Sequence, residues 1–182
     1  MRAAGSEGTG IDTIVASGVN TIPILARTTL REIGKDDVVI VTVAPRYEGY
    51  HGAIARTVVV GNPGAHIEKR IEVQTEAQKA CYEALKPETN GSEAEGRGRR
   101  IMEKAGYGEY FLYSGIHSVG VIEFEPPIFG PSSTSLIEKN MVLSVDIPLF
   151  EAPEYGSRIE DGFLITRDQC VKLNNNPHII KK

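Results

Sequence analysis

The run Val38-Val39-Ile40-Val41-Thr42-Val43-Ala44 limits what this chain can fold into more than any other segment. Consecutive β-branched residues lose rotamer freedom in a helix and fill a pleated surface well, and an uninterrupted run of them suits a strand covered on both faces. The polar turn Gly34-Lys35-Asp36-Asp37 launches the run, and after Pro45 the chain turns through Glu48-Gly49 and returns as Tyr50 to Val60. The two segments read as an antiparallel hairpin with a longer loop. Gly61-Asn62-Pro63-Gly64 stops it. Upstream, Ile11 to Ala16 reads as a strand ending at the turn Ser17-Gly18, and Ile22 to Ala26 is a second apolar stretch.

Beyond the stop, the hydrophobic period changes from two to about four. Ile67, Ile71, Ala77, Cys81 and Leu85 lie roughly along one side of a helix. Ser92 and Glu95 have the capping-box spacing for a second helix running through Ile101-Met102 to Gly106, which sits where a glycine cap would. Gly96 and Gly98 weaken that helix by about 1 kcal/mol each relative to Ala. The remainder reads as strands at Tyr110 to Tyr113, Val119 to Phe124, Met141 to Phe150 and Arg158 to Thr166, with connections at Pro126-Pro127 and Pro131. Strands, two helices and strands again predict an α+β domain with helices on one side of a curved antiparallel sheet.

Length and charge narrow the function classes. A chain of 182 residues is long enough for one sizeable core, so residues 1–182 are expected to form a single domain. The net charge is −4 and the basic residues are scattered, which argues against nucleic acid as a partner. No apolar run is long enough to span a membrane, and Met1 is followed by a Gly-rich polar stretch instead of a leader, so the expected location is cytoplasmic. Cys81 and Cys170 lack metal-type or disulfide-type spacing and read as small buried side chains.

Two residues stand out chemically. His117 lies in Ser114-Gly115-Ile116-His117-Ser118-Val119-Gly120, with glycines on both sides that allow backbone or ligand to come close. Asp146 sits inside the apolar run Met141 to Phe150, where a carboxylate is costly unless it is paired. Either an Arg or backbone amides satisfy it, or it belongs to a site. Glu160 and Asp161 supply further acids.

Six segments occur in an order that resembles the creatinase, Xaa-Pro aminopeptidase and methionine aminopeptidase family. They are residues 14–20, Gly49-Tyr50 with Arg56-Thr57, residues 116–120, Glu125-Pro126-Pro127, residues 140–145 and Gly156-Ser157-Arg158-Ile159-Glu160-Asp161. The resemblance implies the pita-bread fold. It also makes the chain look N-terminally shortened, without the helical lead-in and the separate N-terminal domain of the larger members.

The family's peptidases hold two divalent ions with two Asp, one His and two Glu, and the resemblance places these positions on Thr42, Ala53, His117, Asp146 and Glu160. A hydroxyl and a methyl cannot replace two bridging carboxylates, so no cofactor is expected, beyond a single divalent ion held weakly by one His and two acids. Two further family histidines fall on Leu25 and Phe124, which makes the cleft more apolar. Creatinase also lacks the paired Asp, and His117-Ser118-Val119-Gly120-Val121 is similar to its histidine motif. The resemblance therefore implies metal-independent hydrolysis of a small amidine, guanidino or amide C–N bond. In that reading His117 is the acid/base, Asp146 and Glu160 are orienting acids, and Arg158 and Tyr50 bind substrate, with Tyr47 and Tyr113 as further candidates for the cleft wall. The alternative is a catalytically inactive module that binds a peptide or protein, and a two-metal peptidase ranks last. Expected partners are a small molecule or short peptide, with a homodimer as the assembly that relatives suggest.

Overall fold

The computed structural model describes residues 1–11 and 13–181. Asp12, within the segment expected to form the first strand, lies outside the described residues, and the strand found there is β2 (Ile14–Ser17), after a short β1 (Gly8–Thr9). The long apolar run forms β3 (Val38–Val43), and the chain returns as β4 (Pro45–Tyr47), β5 (Tyr50–His51) and β6 (Ile54–Val59). Two helices follow, α1 (Ala65–Tyr82) and α2 (Gly91–Lys104). The rest comprises β7 (Ile116–Ser118), β8 (Glu125–Ile128), β9 (Val142–Leu149), β10 (Ser157–Ile165), β11 (Cys170–Lys172) and β12 (Ile179–Lys181).

The main sheet runs β2-β3-β6-β10-β9-β7-β8, with β11 added to β10 and β12 to β6. Its pairings are antiparallel, as expected, with the short added strand β12 alone running parallel to β6 among the described residues. Helix α1 packs on β9 and β10, and α2 packs on α1. The helix-facing side of the sheet is apolar. Leu143, Val145, Ile147 and Leu149 alternate along β9 and join Ile159 and Phe163 of β10 against Ile67, Ile71, Ala77 and Cys81 of α1. The intervening residues of β9, Ser144 and Asp146, point to the other side, and this alternation separates the core from the site.

Helix α1 also carries buried polar residues that its apolar period did not show. Gln74 Nε2 donates to the carbonyl oxygen of Ile147 at 2.7 Å, and Gln78 Nε2 donates to that of Val145 at 2.9 Å. These bonds fix the helix against β9. On the same side of the sheet, Asp161 accepts from Arg56 Nη2 (2.5 Å), Asn174 Nδ2 (2.5 Å) and Lys172 Nζ (2.9 Å), and lies 2.9 Å from His178 Nε2. Asp161 thereby ties β6 to the segment leading into β12, and it is the partner for Arg56 that sequence alone could not name.

Several expectations are corrected. The apolar stretch Ile22 to Ala26, to which no element was assigned, is turn and coil, and Leu25 there has φ 51°. Tyr110 to Tyr113 is a short helical turn and coil, and Val119 to Phe124 is a loop that doubles back, not a strand. Strand β8 instead begins at Glu125 and includes Pro126-Pro127, read as a connection. The cap of α2 is Asn90, whose side chain accepts from Ser92 N at 2.9 Å, while Glu95 is buried and pairs with Arg99. Gly98 does not merely weaken α2. A Cβ there would lie 2.9 Å from Ala77 O and closer still to Cys81 Sγ, so glycine is what lets the two helices approach. Gly106 has φ 82°, the left-handed geometry expected of a glycine after the helix.

Candidate active site

Strand register assembles the site on the face of the sheet away from the helices. Thr42 pairs with Ala55, Ala55 with Glu160, and Glu160 with Asp146, so one level of the sheet crosses four strands through these positions. Arg158 is two residues from Glu160 on β10 and shares its face, and His117 of β7 lies opposite Ser144 of β9. His117, Asp146, Arg158 and Glu160 are all buried, with at most 4% of their surface exposed.

Arg158 organises the centre. Its Nε donates to both oxygens of Asp146 at 3.0 and 3.1 Å, its Nη2 donates to Asp146 Oδ2 at 2.7 Å, and its Nη1 donates to Thr42 Oγ1 at 3.3 Å. Tyr113 donates its phenol hydrogen to Asp146 Oδ2 at 2.7 Å. Burial opposes the charge of Arg158, but Asp146 and Glu160 outweigh it and hold the guanidinium pKa well above its usual value. Of the two readings of Asp146, structural pairing and site residue, the geometry shows the pair: its oxygens are taken up by Arg158 and Tyr113.

Glu160 is held differently. Its Oε1 accepts from Ser144 Oγ at 2.8 Å, while Oε2 lies 3.1 Å from Arg158 Nη2 outside hydrogen-bond geometry. Burial raises its pKa, yet Arg158 and His117 overcome that and bring it down to about 2. His117 Nδ1 is 3.0 Å from the carbonyl oxygen of Ser118, which can only accept, so Nδ1 carries the hydrogen. Nε2 then faces Glu160 Oε1 at 3.6 Å, within ion-pair reach of its charge but too far for a hydrogen bond. Burial works against protonation of His117 and the adjacent Glu160 favours it, with a net upward shift.

The loop after β7 delivers a residue that the sequence reading missed. Glu125 accepts from Ile122 N at 2.8 Å, Gly120 N donates to Ile122 O at 3.1 Å, and the tight turn places Glu123 beside His117 and Glu160. Glu123 is 4% exposed, and burial, followed by the charge of Glu160, pushes its pKa up to about 7. A ligand atom from each of His117, Glu123 and Glu160 lies within 4.8 Å of the others. The available signal was a carboxylate between Ile122 and Phe124 in an apolar stretch, the same anomaly that drew attention to Asp146.

These groups meet a cavity of about 300 Å³ lined by Ile11, Leu25, Tyr113, Glu123, Phe124, Asp146 and Arg158. Leu25 and Phe124 are therefore apolar cleft walls, as expected from their positions. His117 is not on the cavity wall; its ring lies under Phe124 with centroids 4.3 Å apart. Tyr50 does not join the site: it is 65% exposed on β5, paired with Tyr47 across a hairpin, and Tyr113 is the tyrosine in the cavity wall. Cys81 is fully buried, and burial pushes its thiol up to about 12, so it has no nucleophilic role.

A pair of metal ions does not fit these residues. Ala53 has no donor atom, the Thr42 hydroxyl is engaged by Arg158, and both oxygens of Asp146 are taken by the same guanidinium. The bridging carboxylates that such a pair needs are missing, and their place beside Asp146 is filled by a fixed organic cation.

Comparison with known proteins agrees with the fold and specifies the family. The Xaa-Pro dipeptidase of Pyrococcus furiosus is 32% identical over 173 residues, 95% of this chain and 50% of that protein. The crystal structure of the prolidase from Pyrococcus horikoshii OT3 superposes with a TM-score of 0.93 at 30% identity, covering 97% of this chain and 51% of the other. That of the X-Pro aminopeptidase from Thermotoga maritima MSB8 gives 0.94 at 27% identity, covering 100% and 52%. The chain thus spans about half the length of the relatives it matches, and it has their pita-bread architecture. The named relatives are peptidases, and they lend no support to a guanidino hydrolase or to an inactive module. The model of metallopeptidase family M24 matches residues 1–167, and the chain belongs to that family.

Proposed function

We propose that this chain is a hydrolase domain that cleaves the C–N amide bond of a short peptide. The observation that carries the reading is the 300 Å³ cavity, apolar at Ile11, Leu25 and Phe124 and ending on Glu123, Asp146 and Arg158. A small apolar side chain fills the first part, and the scissile amide meets the second. Arg158, charged and held in place by Asp146, offers a fixed positive charge to a carbonyl oxygen that gains negative charge as the amide is attacked. Glu123 stands at the cavity wall where it accepts a proton from an attacking water and passes it to the amide nitrogen that leaves as the C–N bond breaks. His117 and Glu160, behind it, are positioning residues. This differs from the expectation that His117 itself moves the proton, because the ring is covered by Phe124. The peptidase relatives favour an amide over the amidine or guanidino groups. We keep the whole chain as one domain, a cytoplasmic location and a homodimer as parts of the same proposal; among the described residues no helix is long and apolar enough to cross a membrane.

The test is turnover of Xaa-Pro dipeptides and of tripeptides with proline second, followed by release of free amino acid. Glu123→Gln and Arg158→Lys are each expected to lower kcat/KM by at least about a hundredfold, in line with loss of a proton acceptor or of a charge-stabilising group. Cleavage of a guanidino substrate with no action on any peptide would overturn the amide assignment. Peptide binding without cleavage would overturn the hydrolase.

A further inference from the structure

Asp161 follows Glu160 on β10 and faces the other side of the sheet, buried among groups that the proposed cleavage does not use. Arg56 joins the two sides: its Nη2 donates to Asp161 Oδ1 at 2.5 Å and its Nη1 to the carbonyl oxygen of Glu160 at 2.8 Å. Strands β6 and β10 pair at Ala55 and Glu160, and from Thr57 to Val59 the strand beside β6 is β12. The segment 173–181 thus closes the sheet next to the residues that carry the site. Leu173 N donates to Gly162 O at 2.9 Å, Arg56 Nη2 donates to Asn176 O at 3.2 Å, and His178 ties the segment to Asp161 of β10 and Thr75 of α1.

The hydrogens available fix the state of His178. The Thr75 hydroxyl gives its hydrogen to Ile71 O at 2.8 Å, so at 3.1 Å it accepts from His178 Nδ1. Nε2 lies 2.9 Å from Asp161 Oδ2, and a carboxylate only accepts, so Nε2 carries a hydrogen as well. Two donating nitrogens make the ring an imidazolium. Asp161 favours that proton and Lys172 opposes it, since Lys172 Nζ stands 3.0 Å from Nε2 and 2.9 Å from the same carboxylate oxygen. Without its proton, Nε2 would set a lone pair against Asp161 but could accept from Lys172 instead. Arg56 of β6 also faces Asp161, and Glu68, Glu72, Glu76 and Lys79 of α1 and Lys181 of β12 line a cavity of about 560 Å³ with His178. Glu68 pairs with Lys181 at 2.7 Å and Lys79 with Glu83 at 3.7 Å, which leaves Glu72 and Glu76 to favour a charged ring. The cavity gives the ring a path to solvent.

We propose that His178 is a proton-operated latch on the segment 173–181. Protonated, it bonds Asp161 and Thr75 and holds the segment against β10 and α1. When Nε2 releases its proton to solvent, the ring exchanges Asp161 for Lys172, and the segment loses its histidine bond to the strand that carries Arg158 and Glu160. The latch is closed at lower pH and opens as pH rises through the titration of the ring. His178 is a positioning residue, because Asp161 and Arg56 carry its effect to the backbone of Glu160. The inference deepens the hydrolase reading by naming a regulation of that site, and it rests on that reading for its effect on turnover, while the latch itself is measurable without substrate.

The experiment follows the nitrogen-15-labelled full chain by NMR from about pH 5.5 to about pH 8.5, the range in which histidine titrates. Both ring nitrogens of His178, assigned through the backbone, should have protonated shifts at the acid end, and Nε2 alone should reach the unprotonated position at the alkaline end. Amide exchange of the segment 173–181 should be at least about tenfold faster in His178→Gln than in wild type at the acid end and equal at the alkaline end, a ratio that cancels the intrinsic pH dependence of exchange. His66→Gln, which changes an exposed histidine, should keep that ratio near one throughout. The kcat of wild type relative to His178→Gln on a peptide should fall across the same range. If His178→Gln does not fold, the ring nitrogens of the wild type carry the test. An unprotonated ring nitrogen at the acid end, or an exchange ratio that does not change with pH, would overturn the latch. A working latch in a chain that cleaves no peptide supports this device and refutes the hydrolase, and cleavage with a kcat ratio independent of pH refutes the regulation and leaves the hydrolase standing.

Discussion

Arg158→Met removes the cation on which the buried acids depend. The guanidinium gives Asp146 three hydrogen-bond contacts of 2.7 to 3.1 Å, and it stands 3.1 Å from Glu160. After the change Asp146 keeps one donor, Tyr113, and Glu160 keeps one, Ser144. Removing one partner of a buried pair costs about 3–5 kcal/mol, mostly because the other charge stays buried and uncompensated. Against a total stability of about 5–15 kcal/mol the variant folds but with a much lower midpoint. Asp146→Asn strands Arg158 in the same way, though Glu160 still neutralises part of its charge, so this cost falls near the lower end of the range. In the double variant neither charge is left behind. Urea denaturation of the four proteins should therefore give a coupling energy of about 2 kcal/mol or more, the double variant being more stable than the sum of the single losses requires. The slope of each transition should stay constant, showing that the same surface unfolds. Additivity within about 0.5 kcal/mol would refute the argument, because it would mean that Arg158 and Asp146 do not depend on each other.

Acid stability and helix packing provide two independent checks. Asp37 accepts from Arg31 Nη1 (2.5 Å), Arg31 Nη2 (3.0 Å) and Gly34 N (2.6 Å), and the Arg31 bond holds its carboxyl below the usual range against burial. Because the folded pKa is depressed, this contribution is fully present above the unfolded value of about 3.9 and is lost as pH falls through the folded one. Asp37→Asn should lower Tm at pH 7 and narrow its gap to wild type toward pH 3, and parallel Tm curves across that window would count against the reasoning. For the helices, Gly98→Ala should destabilise by about 1–3 kcal/mol, since overpacking against Ala77 and Cys81 exceeds the gain of about 1 kcal/mol in helix propensity. Gly96→Ala meets only the flexible end of Arg100 at 3.2 Å and should be neutral or stabilising; equal effects at the two glycines would refute the close-approach account.

Part of the site was legible because some residue types are costly wherever a chain puts them. Asp146 in an apolar run and His117 between glycines announce a polar cluster, and the six segments in order carried the family and the fold. The apolar face of α1 was equally clear, since Ile67, Ile71, Ala77 and Cys81 are all buried, while Leu85, read with them, is buried just past the end of the helix. Glu123 was missed for a physical reason. Read as a strand, Val119 to Phe124 alternates and sends Glu123 to one face, but the segment is a tight loop held by Glu125, and a loop has no period to read. Tyr50 was misplaced because a tyrosine beside a turn gives no indication of which side of the hairpin it covers.

The sequence by itself determined the elements: β-branched runs that form strands and a four-residue period that forms a helix, while Thr42 and Ala53 gained a meaning only from the resemblance, which sets them where the family carries carboxylates. Only the tertiary structure decided how the remaining charges are shared. Which acid pairs with Arg158, and which is left facing His117, depends on the register of β9 against β10 and on one loop folding back. Electrostatic partners are set by distances of a few ångströms across strands, and composition and spacing along the chain do not contain those distances.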